Sequence, residues 1–379
     1  MIEAPPARGE LIRDHVIGRL PVVFLWPFAG CNCRCMMCDI WKDTSRKEIP
    51  LETVRGWLPE WKALGVRHVA LTGGEARMHS GVWELCDIVR EAGIKILLLT
   101  AGVGLAPHAR KVIAHCDSLI VSLDGPPDVH NRIRGIPNAF GKLEAAVKAI
   151  KTAAPSFPIS GRSTVNRINA GLIDKTALAA RAIGIDRMSF LATDLFSDAF
   201  AREKGAAVEG ADILDVDLQA LGELEAALGR LEREHAGLFD SGFLAETPRE
   251  LRTLLIDHYR AMLGVGAFLR RECNAPWATA VIGPDGTVSP CFFQPAYGRI
   301  DAGTSLADVV NSPNAVSWRN GLDMASDAIC QRCVCTFRVR SCGCGMSRDG
   351  EYCDNTCRWI ALLDPVASSN DPKPAEPRS

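Results

Sequence analysis

The sequence predicts an α/β protein in which an incomplete barrel of six strand–helix units precedes a small cysteine-rich α+β domain. In the first half of the chain, short runs rich in Val, Ile and Leu alternate with longer amphipathic segments. This alternation is typical of a parallel sheet covered by helices. After residue 270, cysteines, glycines and short polar segments replace it. With 379 residues, the chain is long enough for two domains and a sizeable core.

The expected barrel occupies residues 18–210. Chemistry in such sheets gathers at the carboxyl ends of the strands, so the residues that follow each strand are the candidates for a site. The apolar runs predict strands at 20–26, 67–71, 94–100, 118–122, 159–166 and 187–192. The amphipathic segments predict helices at 51–64, 81–92, 107–115, 140–152 and 173–183.

Three further segments follow the expected barrel. Residues 211–269 are rich in Leu, Ala and Glu and predict a helical bridge, with helices at 212–234 and 248–269. Residues 270–362 hold nine of the fifteen cysteines and predict the cysteine-rich domain. Residues 363–379 are dominated by Pro, Ala and Glu, a composition that predicts a disordered tail.

The composition argues against several partners and locations. A formal net charge of −2 gives no indication of a nucleic-acid partner. No apolar run reaches the roughly 18 residues that a membrane span needs. The N-terminus lacks the basic-then-apolar pattern of a signal peptide. Without a signal peptide, we expect a cytoplasmic protein. In that reducing compartment, fifteen cysteines indicate metal or redox chemistry rather than disulfides.

Three cysteines, Cys31, Cys35 and Cys38, follow the first predicted strand with a spacing that lets them converge from one loop. A [4Fe–4S] cluster needs four ligands, so three cysteines leave one iron open for a small molecule. With Cys33 the loop could instead supply four zinc thiolates. Structural zinc sites usually pair two well-separated ligand clusters, however, so the iron–sulfur interpretation is favoured.

This spacing resembles the radical S-adenosylmethionine (SAM) superfamily, whose fold is the incomplete barrel predicted above. The resemblance implies that the open iron chelates SAM, that reductive cleavage of SAM yields a 5′-deoxyadenosyl radical, and that this radical abstracts hydrogen from a substrate. It also implies an external electron donor such as flavodoxin or ferredoxin. Met37 stands where the family often has an aromatic residue and is counted among the cofactor-binding residues. Cys33 stands where an apolar residue is usual.

The second predicted strand ends in Thr-Gly-Gly-Glu, with Gly73, Gly74 and Glu75. Two glycines let backbone groups approach a ligand closely, and the carboxylate can accept hydrogen bonds. A plain strand-to-helix turn is the alternative interpretation. The resemblance implies that this motif binds the amino group of SAM, although Ala76 replaces the usual proline.

The third and fourth predicted strands end in further family-like motifs. Thr100 stands where the family often has Thr-Asn-Gly, and Ser-Leu-Asp-Gly places Ser122 and Asp124 after the fourth strand. An Arg-Ile-Arg-Gly segment, 132–135, follows as it does in the family. By this resemblance, these residues line the SAM or substrate region. A helix cap or turn is the alternative for Ser122 and Asp124.

The last two strands complete the expected SAM site. On the fifth strand, alternation could place Ser163 near SAM, whereas Arg162 is expected to be a solvated or paired side chain. At the end of the sixth strand, Leu191 lies where family members supply backbone contacts to adenine. Asp124, His130 and Cys33 could each serve as base or hydrogen donor, but none is assigned because sequence cannot show reach to a substrate. His130 is expected to be a surface-loop residue.

The cysteine-rich region begins with a predicted hairpin. Pro284-Asp285-Gly286 lies between two apolar alternating runs, so closure of the hairpin should bring Cys273 and Cys291 together. This arrangement resembles the start of a SPASM or twitch domain, the auxiliary-cluster extension of many radical SAM enzymes. Nine cysteines after residue 270 are enough for two more [4Fe–4S] clusters. The expected auxiliary ligands are Cys273, Cys291, Cys330, Cys333, Cys335, Cys342, Cys344 and Cys357.

Their grouping departs from the usual SPASM spacing and stays open. One grouping gives the nearer cluster Cys273, Cys291 and either Cys342 or Cys344. The outer cluster would then take Cys330, Cys333, Cys357 and one of Cys335 or Cys342. A zinc ribbon is the rival, because thiolate spacing cannot separate zinc from iron–sulfur. Cys86 and Cys116 lie within apolar patterns and are expected to be inert core thiols.

Three functions are compatible with these motifs. The first is a radical SAM oxidoreductase that dehydrogenates or epimerises a small polar metabolite such as a sugar or aminocyclitol. The alternative is a maturase that crosslinks, oxidises or epimerises a precursor peptide. Only about twenty residues precede the first strand, too few for a separate peptide-binding domain, which favours the metabolite. The third is an iron–sulfur or zinc scaffold without catalysis.

Overall fold

The computed structural model describes residues 15–202, 211–268 and 273–335. Cys342, Cys344, Cys357 and the expected tail therefore lie outside the described residues. Within them, strands form at all six positions predicted for the barrel, and three more follow in the cysteine-rich region. The strands are β1 (Val22–Leu25), β2 (His68–Leu71), β3 (Lys95–Thr100), β4 (Ser118–Ser122), β5 (Ile159–Val165), β6 (Arg187–Ala192), β7 (Thr279–Ile282), β8 (Thr287–Ser289) and β9 (Gly298–Arg299).

Helices connect the strands of the first half and cover one face of the sheet. Those of the first half begin and end close to the predicted positions, and α4 is an additional helix in a stretch expected to be loop. The helices are α1 (Leu51–Ala63), α2 (Val82–Glu91), α3 (Ala109–His115), α4 (Pro127–Arg134), α5 (Ala139–Ala153), α6 (Ile173–Ala182), α7 (Ala211–Leu214), α8 (Leu218–Glu234), α9 (Ala236–Asp240), α10 (Pro248–Leu251), α11 (His258–Met262), α12 (Ala275–Ala278), α13 (Leu306–Val310), α14 (Pro313–Gly321) and α15 (Ala328–Gln331).

All nine strands belong to one sheet with the order β6-β5-β4-β3-β2-β1-β7-β8-β9. Each of the first six pairs in parallel with its neighbour in sequence, as right-handed strand–helix–strand units require. The prediction of an incomplete six-unit α/β barrel followed by a cysteine-rich domain is confirmed. The carboxyl ends of the six strands therefore meet at one edge, and the residues that follow them are neighbours.

The apolar residues of the strands are divided between two layers. Every residue of β1 and β2 is buried, as expected for parallel strands covered on both faces. Val23, Leu25 and Val69 face the helices and belong to the large core between sheet and helices. Val22 and Phe24 face the other way and pack with residues from the cysteine-rich region. The inner face of the barrel is therefore filled by the second half of the chain.

The hairpin of the cysteine-rich region extends the barrel sheet, which the sequence did not predict. β7 pairs in parallel with β1, and Trp26 N donates to Ile282 O at 2.8 Å. β8 then returns antiparallel to β7. Cys273 precedes β7 and Cys291 follows β8, so both lie towards the amino end of β1. The boundary expected at residue 270 therefore does not separate two sheets.

The helical bridge packs against the last two barrel strands. α10, a π-helical turn (Arg252–Asp257) and α11 form one continuous helical segment that ends at Met262, short of the predicted residue 269. Gly264 follows in the left-handed region, with φ of 73°, and stops the helix there. Tyr259 accepts a hydrogen bond from Thr193 N at 2.9 Å and donates to Val165 O. This hydroxyl joins the bridge to β5 and to the end of β6.

The cysteine-rich region is also attached to the barrel through helix α1. The carboxylate of Glu60 accepts hydrogen bonds from Leu306 N at 3.0 Å and Ala307 N at 2.7 Å. These amides open the first turn of α13, where no intrahelical acceptor exists for them. Glu60 therefore caps a helix that lies almost 250 residues away in sequence.

We expect Glu60→Ala to lower the free energy of unfolding by about 1–3 kcal/mol, because two partly buried amides lose a charged acceptor. Glu52→Ala is the matched control on the same helix, since the Glu52 side chain is 86% exposed and should cost less than about 0.5 kcal/mol. Urea unfolding followed by tryptophan fluorescence measures both changes. Equal effects of the two substitutions would contradict this role of Glu60.

Candidate active site

A cavity of about 270 Å³ lies at the carboxyl ends of the barrel strands. Its walls come from the cysteine loop, from strand ends β2 to β6, and from the cysteine-rich region. The predicted site residues that line it are Cys31, Cys35, Met37, Cys38, Gly73, Gly74, Thr100, Ser122, Leu191 and Cys335. Further lining residues that the sequence did not assign include Arg134, Thr164, Arg202, Phe292 and Phe293.

Cys33, the fourth thiol of the cysteine loop, lies between two of the predicted ligands. Hydrogen bonds to Cys31 and Cys35 raise the pKa of Cys33, so it remains a donor. The same bond from Cys33, together with the charge of Arg134, lowers the pKa of Cys35 to about 6 against the effect of burial. Since the thiolate is the form that binds metal, Cys33 favours ligation by its neighbours.

The first attachment of the cysteine loop is to the end of β2. Glu75 N donates to Gly30 O at 3.0 Å, directly before Cys31. The approach is so close that a Cβ on Gly74 would lie 2.0 Å from Gly30 O. A glycine is therefore required at residue 74 by its contact with the loop, a reason the sequence pattern alone did not reveal.

Glu75 itself is almost fully buried and is not among the residues that line the cavity. Its carboxylate accepts hydrogen bonds from Thr100 Oγ1 at 2.9 Å and from Ala101 N at 3.1 Å. Burial raises the pKa of Glu75, and these donors oppose that rise. Glu75 thus fixes the end of β3 against the end of β2, and the cavity wall at this point is formed by Gly73, Gly74 and Thr100.

The second attachment is to the C-terminus of helix α4. Arg34 N donates to Arg134 O at 3.0 Å, and Met36 N donates to Ile133 O at 3.1 Å. These are carbonyls that the end of a helix leaves without an intrahelical partner. Gly135 ends the helix in the left-handed region, and a Cβ there would lie 2.2 Å from Arg34 O. Arg134 and Gly135, the Arg-Gly of the family-like motif, therefore hold the backbone of the cysteine loop against the end of α4.

A buried ion pair reinforces this attachment. Asp124 is fully buried, and its carboxylate lies 2.6 Å from the Arg134 guanidinium and accepts from Thr164 N at 3.0 Å. Arg134 also donates to Cys35 Sγ at 3.5 Å. Burial would lower the pKa of Arg134, but Asp124 and Cys35 outweigh it and raise that pKa. Asp124 is not among the residues lining the cavity and acts on it through Arg134.

The third attachment comes from the segment after β6. Arg202 donates to Met37 O at 2.9 Å and pairs with Asp194 at 2.9 Å, with both side chains almost fully buried. Phe200 O also accepts from Asp39 N at 3.0 Å. No local pattern distinguishes Arg202 in the sequence, because its partner in the loop lies 165 residues earlier.

Two further side chains lie elsewhere than predicted. His130 was expected on the surface but is fully buried, because α4 folds back so that Asp124 N donates to His130 Nδ1 at 3.1 Å. Burial lowers the pKa of His130 to about 4, so the ring is neutral at pH 7. On β5, Arg162 and Thr164 line the cavity, whereas Ser163 does not. Alternate residues of a strand face opposite sides of the sheet. The prediction that Ser163 faces the cavity therefore implied that Arg162 and Thr164 do not.

The auxiliary cysteines meet at a second, smaller cavity of about 50 Å³ on the inner face of the sheet. Cys273 and Cys291 both line it, as hairpin closure predicts, and three thiols from the segment after α14 line it too. Phe24 and Phe292 are among the apolar residues that also line it. The three thiols from the segment after α14 are Cys330, Cys333 and Cys335.

The site thus defines an iron–sulfur protein in which a three-thiol loop at the mouth of a partial parallel barrel faces a cavity. The family model described as "Radical SAM superfamily" matches residues 27–169. The model described as "Iron-sulfur cluster-binding domain", SPASM, matches residues 273–334. The chain therefore contains a radical SAM domain and, C-terminal to it, a SPASM domain. These two domains imply SAM and [4Fe–4S] clusters as cofactors.

The following two relatives and one solved structure are each less than 30% identical to this chain in sequence. An AdoMet-dependent heme synthase of Methanosarcina barkeri is 29% identical over 170 residues, covering 43% of this chain and 48% of that protein. A PqqA peptide cyclase of Ruegeria pomeroyi is 27% identical over 268 residues, covering 69% of this chain and 64% of that protein. The chain thus spans about half to two thirds of these relatives. SuiB of Streptococcus suis shares the fold, with a TM-score of 0.59, 15% identity, and coverage of 86% and 75%.

The residues present fit a cluster and SAM at the cavity. Three thiols from one loop are soft donors of the kind that iron–sulfur clusters take, and Cys33 and Arg134 favour the ionised form of Cys35. Gly73 and Gly74 leave a wall without side chains beside them. Within the described ranges, no group of His, Cys, Asp or Glu side chains is arranged to hold a single metal ion. The same residues contain no helix with the length and apolar composition to cross a membrane.

Gly74→Ala should displace the cysteine loop, because the new Cβ would meet Gly30 O. We expect a loss of about 1–3 kcal/mol in unfolding free energy and lower iron retention after anaerobic reconstitution. Gly56→Ala is the matched control, since nothing lies within 4 Å of its Cβ position in α1. That change should stabilise by up to about 1 kcal/mol. Full iron retention by Gly74→Ala would refute the contact's importance.

Arg134→Met should leave the Asp124 carboxylate buried without its partner and cost about 3–5 kcal/mol of unfolding free energy. Adding Asp124→Asn to Arg134→Met should cost less than the sum of the two single changes, because the stranded charge is gone. Arg132→Met, at an exposed position of the same helix, is the control. Urea denaturation of all four variants gives the coupling, and strict additivity would show that the two side chains do not depend on each other.

Proposed function

We propose that the protein is a radical SAM peptide maturase that modifies a residue of a precursor peptide. When bound, the cluster and SAM supply an electron and a 5′-deoxyadenosyl radical that removes a hydrogen atom from the substrate. Cys31, Cys35 and Cys38 would hold the cluster. Gly73, Gly74, Thr100, Ser122 and Leu191 would surround SAM.

One observation carries the proposal of radical chemistry on a bound substrate. A single cavity is bordered at the strand ends by the three-thiol loop and elsewhere by Phe292, Phe293 and Cys335 of the cysteine-rich region. The cavity volume of about 270 Å³ lies at the low end of the range of about 300–1,000 Å³ typical of small-ligand pockets, so most of a larger substrate would lie outside it. Insertion of one side chain suits a peptide.

The relatives favour a peptide over a small metabolite. The match to the PqqA peptide cyclase extends over 268 residues, far beyond the residues matched by the radical SAM family model. The match to the heme synthase extends over 170 residues. The relative that resembles more of the chain is thus one whose name states action on a peptide. This match outweighs the argument that the segment before β1 is too short for a peptide-binding domain. We therefore propose a peptide maturase in place of an oxidoreductase that acts on a small metabolite.

The chain's own residues would prepare the site in three ways. Cys33 and Arg134 favour the thiolate form of Cys35, and Arg202 fixes the carbonyl of Met37 between the second and third cysteine ligands. Phe200 and Phe293 pack edge to face, with ring centroids 5.9 Å apart, at the wall of the cavity. Such apolar walls exclude water from a reactive intermediate. An external reductant such as flavodoxin or ferredoxin would deliver the electron.

The proposal predicts SAM turnover by the anaerobically reconstituted protein. With dithionite as reductant, 5′-deoxyadenosine should accumulate, and Cys35→Ala should abolish it because the cluster loses a ligand. Cys86→Ala is the matched control, since this thiol is buried in the core away from the cavity and should leave turnover unchanged. If the iron-loaded protein formed no 5′-deoxyadenosine, the proposed radical SAM activity would be excluded, and the non-catalytic scaffold would remain as the interpretation.

The substrate class is tested by co-expression with a short peptide encoded beside the gene. Mass spectrometry should show a loss of hydrogen or an unchanged mass with altered stereochemistry in that peptide, dependent on Cys35. A sugar or aminocyclitol oxidised in its place, with the peptide unchanged, would restore the metabolite interpretation.

A further inference from the structure

The Arg134 guanidinium brings a positive charge to a sulfur of the cysteine loop. It is buried at the wall of the large cavity and donates to Cys35 Sγ at 3.5 Å. Cys31 Sγ, by comparison, accepts from the neutral backbone amide of Cys33 at 3.4 Å. These two bonds therefore differ in kind, because that of Arg134 is charge-assisted.

The main chain, rather than a side-chain rotamer, places Arg134 beside Cys35. Arg34 N donates to Arg134 O at 3.0 Å, and Met36 N donates to Ile133 O at 3.1 Å. These two bonds lie on either side of Cys35 in the loop, and neither of them involves a thiol. Cluster binding at the thiols would therefore leave Cys35 and Arg134 adjacent.

Asp124 holds the other side of the same guanidinium. Its carboxylate lies 2.6 Å from Arg134 Nη2, whereas Arg134 Nη1 donates to Cys35 Sγ. Asp124 is fully buried and is not among the residues that line the cavity. The guanidinium thus lies between a carboxylate and a sulfur, in a buried environment where charges are weakly screened.

We propose that this charge pair sets the reduction potential of the cluster held by Cys31, Cys35 and Cys38. Hydrogen bonds to the sulfurs and the local net charge are among the factors that fix the potential of an iron–sulfur cluster. Reduction adds one electron from the reductant, and no bond forms or breaks. Arg134 favours the additional negative charge and raises the potential, whereas Asp124 opposes this effect and limits the rise.

The consequence of this potential for the reaction rests on the proposed function. In that function, an external reductant such as flavodoxin or ferredoxin supplies the electron. A higher potential makes the cluster easier to reduce, but it also makes the reduced cluster a poorer electron donor to SAM. A pair of opposed charges beside one ligand suits an intermediate potential.

The test measures the midpoint potential by EPR during an anaerobic titration with dithionite and redox mediators. The signal that Cys38→Ala removes identifies the cluster of the cysteine loop. We expect Arg134→Met to lower the ratio of reduced to oxidised cluster about tenfold at a fixed potential, a shift of about 59 mV for a one-electron couple. Asp124→Asn should shift the potential upwards, because the charge of Arg134 is no longer balanced.

The opposite signs separate a charge effect from a structural one. Both substitutions break the same ion pair, so a role confined to holding the loop would shift the potential in the same direction or not at all. Either of these results would overturn the proposal. Arg132→Met is the matched control, since this side chain of α4 is exposed and solvent screens its charge. An equal shift in Arg132→Met would also overturn the assignment to Arg134.

The iron content of each variant shows whether it still holds the cluster. If Arg134→Met loses its iron, the direction of the shift in Asp124→Asn decides, since a rise supports the proposal and a fall or no change overturns it. The titration uses neither a peptide nor SAM turnover. The expected shifts in a protein that modifies no peptide would overturn only the proposed function, and unchanged potentials in an active maturase would overturn only the role of the charge pair.

Discussion

The rest of the site depends on how the backbone of the cysteine loop is held. A loop with no regular structure must find partners for its polar groups elsewhere. Here Gly30 O accepts from the end of β2, Arg34 N and Met36 N donate to the end of α4, and Met37 O accepts from Arg202. The three partners lie on different strand–helix units. The barrel must therefore be assembled before the three thiols can converge.

Two buried arginines contribute to this assembly, and each has its own aspartate. Arg134 pairs with Asp124 and reaches Cys35, while Arg202 pairs with Asp194 and reaches Met37. Buried ion pairs add little net stability, because desolvation of the charges offsets their attraction. The planar, forked guanidinium presents its donors in a fixed geometry, so it can hold an aspartate and a loop atom in defined directions at once. Positioning of the loop is therefore the better explanation for these pairs.

Local patterns in the sequence predicted the barrel well, because its strands and helices are set by apolar periodicity over a few residues. β4 and β6 have the predicted bounds, and the glycines after β2 lie at the cavity. Contacts between residues far apart in the sequence were not predicted. The pairing of β7 with β1 joins segments more than 250 residues apart, and Arg202 finds Met37 across 165 residues. On β5, period-2 alternation predicted two faces but not which one is inner, so Arg162 was set aside in favour of Ser163.

The parallel pairing of β1 with β7 also sets the separation of the two cysteine groups. The three-thiol loop leaves the carboxyl end of β1, whereas Cys273 and Cys291 lie towards its amino end, on either side of the β7–β8 hairpin. A strand of four residues spans roughly 13 Å at about 3.3 Å per residue. Phe24, in the middle of β1, faces the small cavity between them. The paired strands therefore keep the three-thiol loop apart from Cys273 and Cys291.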